Sequence, residues 1–171
     1  MSKSILIIYG SWMGSTQQIA EAMAESMRAE GATVAVQTGN EVKTVDGYDG
    51  VIIGSAVRMG MLNGKMQRPV RKFAKQLKQM PVAGFLGCSV LMDEEVEDPV
   101  ATAKGYLTKF TDKIGLSLIE VQPFLGTILF ENAKGVMKMS AKAMQEDPKF
   151  QGDDRDWDAI AAWAKEMLAK F

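Results

Sequence analysis

Short apolar runs alternate with longer amphipathic runs along the whole 171-residue chain, and this alternation restricts the fold more than any other feature. An apolar run is buried on both faces only inside a covered sheet, and each amphipathic run has one stripe to lay against that sheet. This is the pattern of βα units on a parallel sheet. The strands read as Ser4–Gly10 (SILIIYG), Thr33–Gln37, Asp49–Ala56, the run from Val82 (VAGFLGCSVLM), and a fifth within Leu116–Phe130, where Pro123 points to an edge or an interruption. The first helix reads as about Ser15–Ala29, with Ile19, Met23 and Met27 at four-residue spacing and Gly31 as its stop. A second, Gly64–Gln79, places Met66, Val70, Phe73 and Leu77 on one face and Pro69 near its first turn, and a third turns Val100, Ala103, Leu107, Phe110 and Ile114 inward. The last helix starts near Asp153 or Asp154 and buries Trp157, Ile160, Ala161, Ala164, Met167, Leu168 and Phe171. Right-handed crossovers on such a pattern give an α/β, doubly wound, five-stranded parallel sheet in the order 2-1-3-4-5, helices on both faces, with ligands at the carboxyl ends of strands 1 and 3.

A hydrophobic content of 47% at this length fits one domain over residues 1–171. An extra segment, about residues 127–152, has no place in the minimal plan; it holds a short helix carrying Val136, Met139, Ala143 and Met144. No run approaches the ~18 apolar residues of a spanning helix, and the N-terminal apolar run lacks a small-residue cleavage site. The expectation is a soluble, cytoplasmic protein without an integral span. A net charge of −1 without a long basic cluster argues against nucleic acid. The absence of histidine excludes Ser–His–Asp and Cys–His nucleophiles and histidine-containing zinc sites, and no metal site is expected.

The stretch YGSWMGSTQQIAEAM, Tyr9–Met23, joins the first strand to the first helix through glycines and hydroxyls, with no cation between Lys3 and Arg28. In an open parallel sheet this turn aims helix N–H groups at the switch-point crevice, where they can hold an anion. A phosphate there would be held by dipoles and hydroxyls alone. The spacing is wrong for G-x-x-x-x-G-K-[ST], with Ser15 where the lysine belongs, and G-x-G-x-x-G is absent, which disfavours triphosphate and dinucleotide chemistry. A plain tight turn with serine caps is the alternative.

That stretch resembles the phosphate-binding loop of flavodoxins, a strand followed by [ST]-x-x-G-x-[ST] and a helix. The resemblance implies that Ser11, Trp12, Met13, Gly14, Ser15 and Thr16 cradle the phosphate of FMN. VIIGSAVRMGMLNGKM, Val51–Met66, is similar to the corresponding loop of the menaquinone-dependent protoporphyrinogen dehydrogenase family, where a strand ending in small residues runs into [IV]-R-x-G. The similarity continues into VRKFA, MKMS and DDRDWDAIAAWAKEM. By that resemblance Ser55, Ala56, Val57, Arg58, Met59 and Gly60 offer backbone groups to the polar edge of the flavin, and Ser89, Val90, Leu91 and Met92 form the other wall. Gly60 could turn its peptide toward the flavin N5, and Arg58 could lie near the N1–C2=O edge or point to solvent. Aromatic residues flank both flavin faces in many flavodoxins; here aliphatic and thioether side chains take their place, with Trp12 over the ring or shielding the phosphate.

The resemblance implies an electron carrier cycling FMN through oxidised, semiquinone and hydroquinone states, with redox proteins or a quinone as partners. The alternative is an FMN-dependent oxidoreductase of the quinone-linked protoporphyrinogen dehydrogenase type. Residues Gly126–Asp153 would then contact substrate or, peripherally, a membrane, with Met137, Met139 and Met144 on an amphipathic helix beside Lys134, Lys138 and Lys142, although they lack the strongly basic, aromatic-rich character of that family's insertion. A flavin-free interaction domain on the same fold is a third class. Neither a catalytic side chain nor a C-x5-R phosphatase loop is apparent, so Cys88 reads as a buried, inert thiol. The acidic loop Asp93–Asp98 reads as solvated, or as an attractor of a basic redox partner.

Overall fold

The computed structural model describes residues 2–171; Met1, first residue of the expected domain, lies outside them. The chain runs through β1 (Ser4–Gly10), α1 (Ser15–Ala29), β2 (Thr33–Thr38), β3 (Gly50–Arg58), β4 (Met61–Leu62), α2 (Gly64–Lys72), α3 (Ala74–Leu77), β5 (Val82–Cys88), α4 (Pro99–Lys113), β6 (Val121–Leu125), α5 (Val136–Gln145) and α6 (Trp157–Lys170). Five strands form the parallel sheet, in the order β2-β1-β3-β5-β6, the expected doubly wound order. The strand missed in the sequence is β4, a two-residue piece antiparallel to the end of β3. It is too short to leave an alternating pattern.

The aliphatic runs of the central strands are buried because helices cover both faces. Leu6, Ile8, Val51 and Ile53 pack with Met66, Val70, Leu77 and Leu107 on one side. Ile5, Ile7 and Ile52 pack with Ile19, Met23, Met27, Trp163 and Met167 on the other. Pro123 lies in β6, which pairs with β5 alone, so the ladder bond that proline cannot donate is lost at an edge.

Helical details depart from the sequence reading in four places. The stretch read as one helix over Gly64–Gln79 is broken at Phe73 into α2 and α3. Pro69 sits in the second turn of α2 rather than the first, so the Lys65 carbonyl has no N–H from it to accept; the start is set by the Asn63 side chain, which takes the Lys65 N–H at 2.9 Å. Val100 is 47% exposed, in the first turn of α4 directly after the Asp98 cap and Pro99. The last helix is capped by Asp156, not Asp153 or Asp154, and Trp157 is exposed beneath the Arg155 guanidinium, 4.4 Å from its ring centroid. Trp163 takes the buried position instead, edge-on to Phe124.

Trp163 also donates its indole N–H to Glu120 at 2.7 Å, and Lys170 donates to the other carboxylate oxygen at 2.8 Å, fastening α6 to the edge of the sheet. The Lys170 hydrogen bond, aided by that of Trp163 and opposed by partial burial, holds the Glu120 carboxyl below its ordinary value. Its stabilising contribution is therefore present above the ordinary carboxylate range and lost as pH falls through the lowered folded value. Urea denaturation should show the advantage of the wild type over Glu120→Gln shrinking between neutral pH and about pH 3.

Close approach of a ring to the sheet explains Gly54. A Cβ there would run into the Phe85 ring, in the neighbouring strand. Gly54→Ala should cost about 1–3 kcal/mol or more in the same assay, because the fully buried ring must shift within the core.

Candidate functional site

The turn after β1 is shaped by one left-handed residue. Gly14 has φ +96° and caps α1 without a side chain, while its own N–H is taken by Ser11 Oγ at 2.8 Å. The first helical bond runs from the Gln18 N–H to the Gly14 carbonyl, so the N–H groups of Ser15, Thr16 and Gln17 precede the intrahelical ladder, and no side chain caps them. Thr16 is almost wholly buried beside Gly87.

At the end of β3 the chain folds into a two-residue hairpin. Val57 pairs with Leu62 and Arg58 with Met61, leaving Met59 and Gly60 at the tip with φ +51° and +73°. Both signs positive mark the mirror-image turn that suits strand twist. Met59 is the one non-glycine residue with positive φ among the described residues, an unfavourable conformation for a long side chain. Behind the hairpin, Ser55 is fully buried: its Oγ accepts the Asn63 N–H at 2.8 Å and donates to the Ala56 carbonyl at 2.7 Å.

The third wall follows β5. Ser89 and Met92 face the crevice, whereas Val90 and Leu91 pack against the core. Cys88 is buried, and burial, only partly offset by a hydrogen bond from the Val90 backbone, pushes its thiol up to about 12.

The segment that had no place in the minimal plan is the fourth wall. Met137, Ser140, Ala141 and Met144 of α5 face the crevice, and Val136 and Met139 point away, 85% and 81% exposed. The helix is therefore turned differently from the reading built on Val136, Met139, Ala143 and Met144. Three hydrogen bonds tie the segment and the turn before α6 to the loop after β1: Thr127 N–H to Ser15 Oγ at 3.0 Å, Asn132 Nδ2 to the Met13 carbonyl at 2.8 Å, and Arg155 to the Ser15 carbonyl at 3.3 Å. Arg155, nearly buried, is neutralised by a two-pronged contact with Asp153, whose carboxyl that hydrogen bonding holds below its ordinary value despite partial burial.

Together the four walls enclose a cavity of about 400 Å³. Of the residues read from sequence, Ser11, Trp12, Met13, Ser15, Thr16, Ala56, Val57, Arg58, Met59, Ser89 and Met92 line it. Gly14 borders a second cavity on the far side of the same loop, which Lys65 and Lys134 also flank. Ser55, Gly60, Val90 and Leu91 lie outside the lining, where Ser55 braces the hairpin and Gly60 approaches Tyr106. Gly87, Cys88 and Asp154 were missed, and Gly126–Ile128, the α5 face and residues 149–152, read from sequence only as a substrate or membrane contact, line the same cavity. Lys149 in this set brings to the wall a cation that the turn itself lacks. Nothing in the spacing of the segment marks which of its methionines turn inward.

A doubly wound sheet with this order, a left-handed turn into an uncapped helix after β1, and a crevice between the loops of β1, β3 and β5 define a flavodoxin-like α/β protein. A flavodoxin domain family model matches residues 6–149, and the chain belongs to that family. It is 24% identical to the protoporphyrinogen IX dehydrogenase [quinone] of Escherichia coli strain K12, over 95% of this chain and 93% of that one. Two flavodoxin crystal structures from Bacillus cereus share the fold. Oxidised flavodoxin 1 has a TM-score of 0.58 at 13% identity and oxidised flavodoxin 2 a TM-score of 0.57 at 21% identity, each over 98% of this chain and 99% of the other. No helix of the described residues is long and apolar enough to cross a membrane.

The raised, buried thiol leads to a direct expectation. At pH 8 Cys88 should resist iodoacetamide in the folded protein and react fully in about 6 M guanidinium chloride, as mass spectrometry of the intact chain would show.

Proposed function

We propose that the chain is an FMN-binding electron-transfer protein, with the phosphate in the loop after β1 and the flavin ring between the β3 hairpin and the loop after β5. The single observation that carries this reading is that Ser15 and Thr16, the first residues of the uncapped α1, line with Ser11 a cavity of about 400 Å³, within the range of small-molecule sites. The hydroxyls fit an anion as well. Ser11 Oγ already accepts the Gly14 N–H and Ser15 Oγ the Thr127 N–H, which leaves each hydroxyl its own hydrogen to donate. Lys149 and Arg58 supply positive charge on the lining. Around the ring position, Val57, Met59, Met92, Met137 and Met144, with Trp12 and Phe150, provide an apolar lining.

FMN, when bound, supplies one- and two-electron chemistry; the protein binds it, orients it and limits solvent. No side-chain acid or base is required, in keeping with a histidine-free chain. The likeness to a quinone-linked dehydrogenase over nearly its full length, together with the apolar face that α5 adds to the cavity, supports a second reading in which an organic substrate or quinone shares the site.

Purified protein, or protein mixed with FMN, should show bound flavin bands. A long-lived one-electron form on stepwise reduction marks a carrier, and direct two-electron bleaching favours the second reading. Gly14→Val, which forces a β-branched residue into a left-handed position, should weaken FMN binding about 10-fold or more with a native far-UV spectrum. Unchanged affinity in that variant, or a wild type that never binds FMN, refutes the assignment.

A further inference from the structure

We propose that the exposed face of α2 and α3, with the adjoining β3–β4 hairpin tip, is a docking surface for a small acidic protein. From Gly50 to Met92 the chain carries Arg58, Lys65, Arg68, Arg71, Lys72, Lys75 and Lys78 and no carboxylate. All seven are exposed, and among the described residues none enters an ion pair. The chain as a whole is nearly balanced, with 20 cations and 21 carboxylates; without these seven, 13 cations face 21 carboxylates. Charge is thus segregated by region, which gives the molecule an oriented field able to steer a partner.

Only part of this charge serves the fold. Met66, Val70, Phe73 and Leu77 supply the packing of this stretch, and of the seven cations Arg71 and Lys72 lie over the Phe110 and Phe73 rings and suit the last turn of α2. Lys65 lies in the first turn of α2, where the helix dipole opposes positive charge, and the guanidinium of Arg68, midway along the helix, folds back toward Gly64 at that same end. An arrangement that costs stability locally is accounted for by a gain in recognition.

The basic stripe starts at the cavity. Arg58 and Met59 line it, Met61 is the cross-strand partner of Arg58, and α2 begins directly after the hairpin. Met59 is 89% and Met61 60% exposed, so an apolar contact lies next to a charged border, the make-up of a transient protein interface. A membrane surface fits less well, since the positions exposed between the α2 and α3 cations are glutamines and not apolar anchors, and the rest of the molecule carries excess negative charge. The acidic loop Asp93–Asp98 follows Met92, on another wall of the cavity. It would repel an acidic partner there and so fix its orientation over α2.

Docking of this kind deepens the FMN reading and rests on it for its purpose, since the partner's redox group would come to the cavity rim; binding itself needs no flavin. The probe is an oxidised plant-type [2Fe–2S] ferredoxin, strongly acidic, with basic cytochrome c as the opposite charge, titrated calorimetrically against the full chain. Affinity for ferredoxin should exceed that for cytochrome c and fall about 10-fold between about 20 mM and about 200 mM salt. Arg68→Glu/Lys72→Glu/Lys75→Glu should abolish it, and the corresponding triple glutamine variant should weaken it by an intermediate factor, with native far-UV spectra and flavin content unchanged. Equal ferredoxin binding by wild type and the charge-reversed variant, no binding by wild type, or tighter binding of cytochrome c overturns the proposal. So does cosedimentation with phosphatidylglycerol vesicles by a wild type that ignores ferredoxin, which would assign the patch to lipid. A colourless protein that still binds ferredoxin as expected defeats the FMN reading and leaves the docking surface standing; a yellow protein blind to ferredoxin does the reverse.

Discussion

Register between the parallel strands is the constraint on which the site depends. Gly10 lies abreast of Ser55, Ala56 of Gly87, and Cys88 of Leu125. The chain therefore leaves β1, β3, β5 and β6 at nearly the same height, and the four following loops meet over one crevice. Because β1 sits between β2 and β3, connections depart to both sides of it and leave that crevice open. A slip of one residue would turn the alternating sets Ile5/Ile7 and Leu6/Ile8 to the wrong helix layers, so burial on both faces fixes the register and, through it, the site.

The parts of this arrangement encoded by local pattern were legible in the amino-acid sequence. β1 and α1 begin and end where the aliphatic run, the Gly14 turn and the spacing of Ile19, Met23 and Met27 place them. The parallel order followed from handed crossovers, and the proline in the last strand marked the edge. Of the loop after β1, five of the six residues read as a phosphate cradle line the cavity, because a short turn between two fixed elements has few places to go.

What was not legible depends on contacts distant in sequence. Val57 and Gly60 belong to one glycine-rich stretch, yet the pairing of Arg58 with Met61 puts the first on the cavity and the second against Tyr106. The apolar residues of α5 spread over more than half of its circumference, so pattern alone does not choose between Met137 and Met139; the loop after β1 chooses, by binding Thr127 and Asn132 before the helix and Arg155 after it. Trp157 and Trp163 posed the same problem on α6, resolved by the indole contacts of Trp163 with Phe124 and Glu120. Arg155 shows the converse case. A buried cation cannot be placed from its own neighbours, and here Asp153 and the Ser15 carbonyl together make its burial tolerable.

The hydrogen bonds that join the insertion to the loop after β1 also couple the order of the two. Thr127, Asn132 and Arg155 all attach to Met13 or Ser15. Peeling the insertion back breaks the Thr127 and Asn132 bonds, so the turn loses bracing in the same local opening. Whatever quiets one of these segments therefore quiets the other.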